Sequence, residues 1–339
     1  MWWIVIKRKH LKKSVKLVLK RMLFLIISGL ILWGAFLCVR DINNPDNDND
    51  NDNDTSGGKE INKEEYVYKE ELLALGYDVK DIDVISTKIS NVDVKKYLLT
   101  EKYEDIAKFI ASPYYKVDKT SRYQSYYNKH KEYDTDSVVI YVEIGLDIEF
   151  YTEAEEITNY DNVDALVNKY HKLPSNYEAS DLVTLSKDYS SRGHKIKKVA
   201  SEPLMKMIEA AKADGLNLLV ISGYRTESTQ SGLFNNSVKR HGMDHALIYS
   251  AKPGYSEHQL GLAVDLNSTE ENFDQTKEYK WLKANSYKYG FIERYPKGKE
   301  FITGYGYEPW HYRYLGVDLA TKVYTENVTY EEYLVKHSK

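Results

Sequence analysis

Two short stretches near the C-terminal end set the strongest condition on the fold, because their chemistry is useful only if the chain brings them together. The first is Ser256-Glu257-His258-Gln259-Leu260-Gly261-Leu262-Ala263-Val264-Asp265, and the second is Glu308-Pro309-Trp310-His311. His258, Asp265, His311 and Glu308 supply two imidazoles and two carboxylates, enough for a catalytic zinc site. Zinc at such a site takes three N or O ligands and keeps a fourth position for water. The division this implies is His258, Asp265 and His311 as ligands, one Zn2+ per chain, with Glu308 left over as a base.

Local pattern supports the division. Leu262, Val264 and Leu266 alternate with Ala263 and Asp265, which is strand periodicity, so Asp265 projects from the face opposite the apolar one. His258 precedes Gly261, on the loop leading in. In an extended strand Glu308 and His311 point to opposite faces; Pro309 favours a bend, and a bend or single helical turn brings positions i and i+3 together.

The S-x-H-x-x-G-x-A-x-D and E-x-W-H pair, with Ser222-Gly223-Tyr224-Arg225-Thr226 upstream and Tyr307-Glu308-Pro309-Trp310-His311-Tyr312-Arg313-Tyr314 around the second stretch, resembles the VanY-type zinc D-alanyl-D-alanine carboxypeptidases of bacteria, in metallopeptidase family M15, subfamily B. The resemblance covers roughly residues 172–316, a little under half the chain, without departure at a metal or base position. It implies that Arg225 lies in the site, to stabilise an oxyanion or hold the peptide, and that Gln230 and Ser256 contact the terminal residue of the substrate. The remaining histidines, His10, His130, His171, His194, His241, His245 and His337, lack such a setting and read as structural or surface residues.

Forty-two per cent hydrophobic and 29% charged residues can build a core, and the length suggests two domains with attachments. The net charge of −4 is unevenly placed. Lys7, Arg8, Lys9, Lys12, Lys13, Lys16, Lys20 and Arg21 precede an apolar run at residues 22–39 that is about long enough to span a bilayer. Cleavage after Ala35 would put the bulky Trp33 where a small residue is wanted, and Leu37 before Cys38 disfavours lipid attachment. The expectation is therefore a cytoplasmic basic segment (1–21), a retained single-pass transmembrane helix (22–39) and an external body. Cys38 is the only cysteine, so the body has no internal disulfide. Residues 46–54 alternate Asp and Asn, so the linker at residues 40–58 reads as a solvated tether rather than a calcium loop, which needs a turn glycine and a terminal Glu.

Residues 59–171 read as a small, mostly helical module of unassigned role. Helical spacing covers residues 66–75, ending near Gly76, and recurs at 94–99 and 103–110, whereas Val138-Val139-Ile140-Tyr141-Val142 reads as a strand. Residues 172–339 form the catalytic domain. Ser201 is expected to cap a helix with Leu204, Met207, Ile208 and Ala211 on its apolar face, ending at Asp214-Gly215. A buried strand at 216–221 follows, then a helix capped by Thr226 with Gln230 and an apolar face of Leu233, Phe234 and Val238, and later a helix at 274–289 stopped by Gly290 before a strand at Phe291-Ile292. The fold class is α+β, with helices packed on a mainly antiparallel sheet.

The implied reaction is removal of the terminal D-alanine from peptidoglycan stem pentapeptides, with L,D-cleavage of tetrapeptides as the alternative. A non-catalytic peptidoglycan-binding module and an endopeptidase are further readings, the first opposed by the presence of Glu308. Nucleic-acid binding has no support, because the only basic cluster flanks the expected anchor.

Overall fold

The computed structural model describes residues 67–338. The basic segment, the expected transmembrane helix and the Asn/Asp linker lie outside the described residues. Among the described residues no helix is long and apolar enough to cross a membrane.

The first part of the described chain is helical, and its caps explain why. Helix α1 (Lys69–Leu75) stops at the left-handed Gly76, where the sequence placed the stop. Helix α2 (Val79–Lys88) starts at Asp78, whose carboxylate accepts from the Asp81 amide at 2.8 Å. After one turn of α-helix a π-helical turn covers Val94–Leu98, and α3 (Ile106–Ala111) and α4 (Thr120–Lys129) follow.

Residues 138–142 form no strand; they lie inside helix α5 (Thr135–Ile144). Asp134 accepts from the Ser137 amide at 2.7 Å and the left-handed Gly145 closes the helix. Val138, Val139, Ile140, Val142 and Ile144 are all buried. A helix buried on most faces loses its polar stripe, and β-branched composition then mimics a buried strand. The buried faces meet Phe109, Tyr123 and Tyr126 on one side and Ile302 on the other.

The remainder is an α+β domain. Short pairs β1 (Glu155–Glu156) with β2 (His171–Lys172), and β3 (Leu182–Thr184) with β4 (Lys195–Lys197), lead into helix α6 (Lys198–Ala213). Helix α6 starts three residues before Ser201, which therefore does not cap it; the Ser201 hydroxyl donates to Lys198 O at 2.8 Å within the first turn. Leu204, Met207, Ile208 and Ala211 are buried as their spacing requires.

Four antiparallel strands carry the rest, in the order β5 (Val220–Ser222), β6 (Ala263–Leu266), β8 (Glu308–Tyr314), β7 (Phe291–Tyr295). Strand β5 is shorter than expected because the Asn267 side chain replaces the ladder before it, accepting from Leu219 N and donating to Asn217 O, both at 2.7 Å. Between β5 and β6 lie α7 (Glu227–His241), α8 (Met243–Tyr249) and α9 (Glu257–Leu260). Thr226 caps α7 as expected, but Leu233 is exposed while Phe234 is buried. The expected helix at 274–289 is broken into a 3-10 turn (Glu271–Gln275), α10 (Lys277–Asn285) and a second 3-10 turn (Ser286–Tyr289), because Thr276 caps a new helix inside it. Helices α11 (Glu300–Thr303), α12 (Val317–Glu326) and α13 (Tyr330–His337) complete the chain.

One face of the sheet, with Leu262, Val264, Leu266, Trp310, Tyr312 and Tyr314, packs on α6 in the main core. Ile157, Ala165 and Val167 enter the same core, so residues 155–171, grouped with the helical module by sequence, are woven into the sheet domain. The alternate residues, Ala263 and Asp265 on β6 opposite Arg313 and His311 on β8, face the other way.

Candidate active site

His258 sits on the single helical turn α9 rather than on a loop, and the left-handed Gly261 ends that turn. Its ring is fixed by a 2.8 Å contact between Nδ1 and Gly223 O, while Arg225 N donates back to His258 O at 3.2 Å. Gly223 is needed for its own close approach to β4: a Cβ there would lie 2.5 Å from Lys195 O. The two sequence stretches around 223 and 258 are therefore held by each other's backbone.

Asp265 and His311 are direct partners across β6 and β8. No bend or helical turn forms at Pro309, which stays within β8; a bulge does the work expected of it. Between the pairs Glu293↔Tyr312 and Tyr295↔Glu308, Arg294 alone on β7 opposes Pro309, Trp310 and His311. The excess residues turn Glu308 toward His311, with Oε2 3.6 Å from Nδ1.

Asp265 Oδ1 lies 3.3 Å from His258 Nε2 and 3.2 Å from His311 Nδ1. The two rings are perpendicular with centroids 4.8 Å apart. One ligand atom from each of the three residues lies within 4.8 Å of the others, and theirs is the only such group of His, Cys, Asp or Glu among the described residues. His258 Nε2 and Asp265 Oδ1 are buried without a hydrogen-bond partner. Buried polar atoms left without partners are costly, and a convergent N2O set of this kind fits Zn2+ with a coordination position to spare.

From the protein's own groups alone, burial pushes the Glu308 carboxyl up to about 7, with His311 pulling the other way. Burial would also raise Asp265, but the two imidazoles hold it well below the carboxylate range. Burial and the Arg225 charge push His258 down to about 4, whereas in His311 burial is outweighed by Asp265 and Glu257, which raise it to about 9.

Arg225, Gln230, Ser256, His258, Glu308 and His311 line a cavity of about 50 Å³, with Tyr249, Ser250, Ala251, Glu257, Tyr295 and Tyr305. Arg225, Tyr249 and Glu308 also line a groove of about 820 Å³ that includes Asp265 and Trp310. Every site residue expected from the sequence is thus brought to one place. Gln230 has both ends of its amide engaged: Oε1 accepts from Arg225 Nη1 at 3.1 Å and Nε2 donates to Ala251 O at 2.8 Å. Arg225 Nη2 lies 3.5 Å from Asp265 Oδ2. Ser256 makes no side-chain cap bond to α9 and is buried against the cavity.

Sequence reasoning missed three features. His241 and His245 are exposed, as their reading as structural or surface residues allows, but the ring ladder they form with Tyr249 along the groove wall was not read. Tyr295 packs on His311 with centroids 4.8 Å apart. Glu257, Arg294 and Arg313 form a buried ionic cluster behind His311. Arginines among the aromatic residues of Phe291–Tyr295 and Glu308–Tyr314 were the available signal, since a buried arginine demands an acid.

Comparison with known proteins follows the same residues. The VanY family model, described as D-alanyl-D-alanine carboxypeptidase, matches residues 193–317. The chain is 43% identical over 203 residues to the putative carboxypeptidase YodJ of Bacillus subtilis, covering 57% of this chain and 74% of that protein. It is 39% identical over 178 residues to a D-alanyl-D-alanine carboxypeptidase of Enterococcus faecalis, covering 50% and 64%. Among solved structures, the LdcB LD-carboxypeptidase is 43% identical with a TM-score of 0.50, covering 55% of this chain and 92% of that one. A vancomycin resistance D,D-pentapeptidase VanY solved with Zn(II) is 40% identical with a TM-score of 0.45, covering 51% and 98%. The chain belongs to the VanY family of D-alanyl-D-alanine carboxypeptidases and is a zinc metallopeptidase.

Proposed function

We propose that the chain removes the terminal D-alanine from peptidoglycan stem pentapeptides, at the D-Ala-D-Ala bond, outside the cell membrane. The observation that carries this is the convergence of His258, Asp265 and His311 beside a small pocket of about 50 Å³ that Arg225, Gln230, Ser256 and Glu308 also line. A small pocket beside a larger groove of about 820 Å³ suits a short terminal residue on one side of the scissile bond and the stem peptide on the other, which favours a carboxypeptidase over an endopeptidase. His258, Asp265 and His311 would hold one zinc ion. Bound zinc supplies Lewis acidity, polarising the scissile carbonyl and lowering the pKa of water toward about 7.

The protein's own groups do the rest. Glu308, 3.6 Å from His311, takes the proton of the attacking water and returns it to the departing amine. Arg225, held by Gln230, directs its guanidinium at the charge developing on the scissile carbonyl oxygen. The Ser256 hydroxyl and Gln230 shape the end of the cavity that receives the terminal residue.

A second reading, L,D-cleavage of stem tetrapeptides, is favoured by the likeness to the LdcB LD-carboxypeptidase. Purified protein given a muropeptide pentapeptide and a tetrapeptide separately, with and without a chelator, separates the readings by the D-alanine released. Chelator-sensitive release from the pentapeptide alone is the expected result; release from the tetrapeptide alone establishes the second reading, and release from neither removes both.

The basic segment followed by the apolar run at 22–39 supports a single-pass anchor with the N-terminus inside. The Asn/Asp linker would then give the catalytic domain its reach, and the helical module would orient it on the wall.

A further inference from the structure

The buried charge behind strand β8 is arranged around one oxygen. Glu257 is 1% exposed, and its Oε1 accepts from both Arg294 Nε and Arg313 Nη1 at 2.8 Å. Both arginines are fully buried and otherwise committed. Arg294 donates to Glu331 at 2.9 and 2.7 Å, and Arg313 donates to Val163 O and Ala165 O at 2.9 and 2.7 Å and to Tyr314 O at 3.1 Å. The second oxygen of Glu257, Oε2, has no hydrogen-bond partner, and 3.5 Å away lies His311 Nε2, also buried and without one.

A carboxylate gripped by two guanidiniums is an acceptor only, so the pairing open to these two atoms has Nε2–H donating to Oε2. A neutral imidazole with its proton on Nε2 carries its lone pair on Nδ1. Nδ1 is the nitrogen that faces Asp265 Oδ1 at 3.2 Å, in the convergent group with His258. We propose that Glu257 is a positioning residue that fixes His311 in the Nε2–H tautomer and thereby presents Nδ1 to zinc, with Arg294 and Arg313 holding its carboxylate in place. This rests on the reading of His311 as a zinc ligand.

The substitution Glu257→Gln separates this role from packing. Both arginines point at the Oε1 position, so the amide oxygen of the new side chain stays there and its NH2 takes the place of Oε2. An NH2 facing Nε2 favours the opposite tautomer, with the proton on Nδ1, where it blocks ligation. Glu331→Gln is the control, because Glu331 touches Arg294 at the same depth but not His311.

Zinc affinity measured by chelator competition on the full chain is expected to fall about 10–100-fold for Glu257→Gln, the usual effect of losing a carboxylate behind a ligating histidine. It is expected to stay within about threefold of wild type for Glu331→Gln, although both variants lower the melting temperature. Unchanged affinity in Glu257→Gln, or an equal loss in Glu331→Gln, overturns the proposal. Should Glu257→Gln fail to fold, 15N histidine NMR of the zinc-loaded wild type decides: His311 is expected to be protonated at Nε2, and a proton on Nδ1 refutes the assignment. Full zinc retention in His311→Ala would instead remove the ligand reading beneath it.

Discussion

The helical part of the chain and the sheet domain are stabilised in different ways. The first is packed with Leu72, Ile82, Ile85, Leu98 and Ile106, and its ion pairs include Lys116 with Glu143, whose lysine side chain is 51% exposed. The second buries Arg294, Arg313, Glu257 and Glu331 completely, beside the three metal-binding candidates and Glu308. Apolar side chains can be exchanged for others of like volume, so a purely apolar core constrains identity weakly. Buried ions are tolerable only as a complete set, and this set lies against His311, with Glu257 Oε2 3.5 Å from its Nε2.

The largest effect should come from the ionic side. Arg313→Leu leaves Glu257 short of a partner and takes the Arg313 donors from three carbonyls, those of Val163, Ala165 and Tyr314, and is expected to cost about 3–5 kcal/mol in denaturant unfolding. A loss under about 1 kcal/mol would mean that the cluster is no more demanding than the helical core. Ile85→Ala in that helical core is expected to cost about 2–4 kcal/mol, while zinc affinity of the folded protein stays at the wild-type value. A tenfold change in zinc affinity would show that the two regions are coupled rather than distinct.

Acid should separate them further. Burial alone would raise the Glu257 carboxyl, but Arg294 and Arg313 hold it well below its ordinary value of 4.5. Its folded value is depressed, so the unfolded chain takes up the proton first. The stability it contributes is complete above about pH 4.5 and declines as pH falls below that toward the folded value. Melting curves from pH 7 to 3 should show wild type losing stability in that window more steeply than Arg294→Gln, in which the depression is partly relieved. Parallel curves would contradict the assignment. The smallest effect belongs to Lys116, whose own side chain is half exposed: Lys116→Ala should change stability by less than about 1 kcal/mol, since Lys119 also contacts Glu143.

What could be read from sequence follows the same divide. His258, Asp265, His311 and Glu308 were legible because ligand chemistry restricts residue type at fixed spacing, whereas Arg225, Gln230 and Ser256 entered only through the family resemblance; the structure gathers all seven around adjoining cavities. The route to that geometry was less legible. Pro309 suggested a bend, but a bulge depends on what β7 offers opposite, and spacing within one strand carries no trace of its neighbour. Helix α5 was misread as a strand because burial on most faces erased its polar stripe, although Asp134 and Gly145 stood in cap positions. Glu257 stood in plain view beside His258, yet its role depends on Arg294 and Arg313, which lie 37 and 56 positions further along the chain.

The most direct test of the central claim, that Glu308 acts as the base beside zinc held by His258, Asp265 and His311, is the Glu308→Gln protein assayed for zinc content and D-alanine release on one preparation. Wild-type zinc content with release lowered about 10²–10⁴-fold is the expected result. Release at near the wild-type rate, or loss of zinc with the carboxylate, would contradict it.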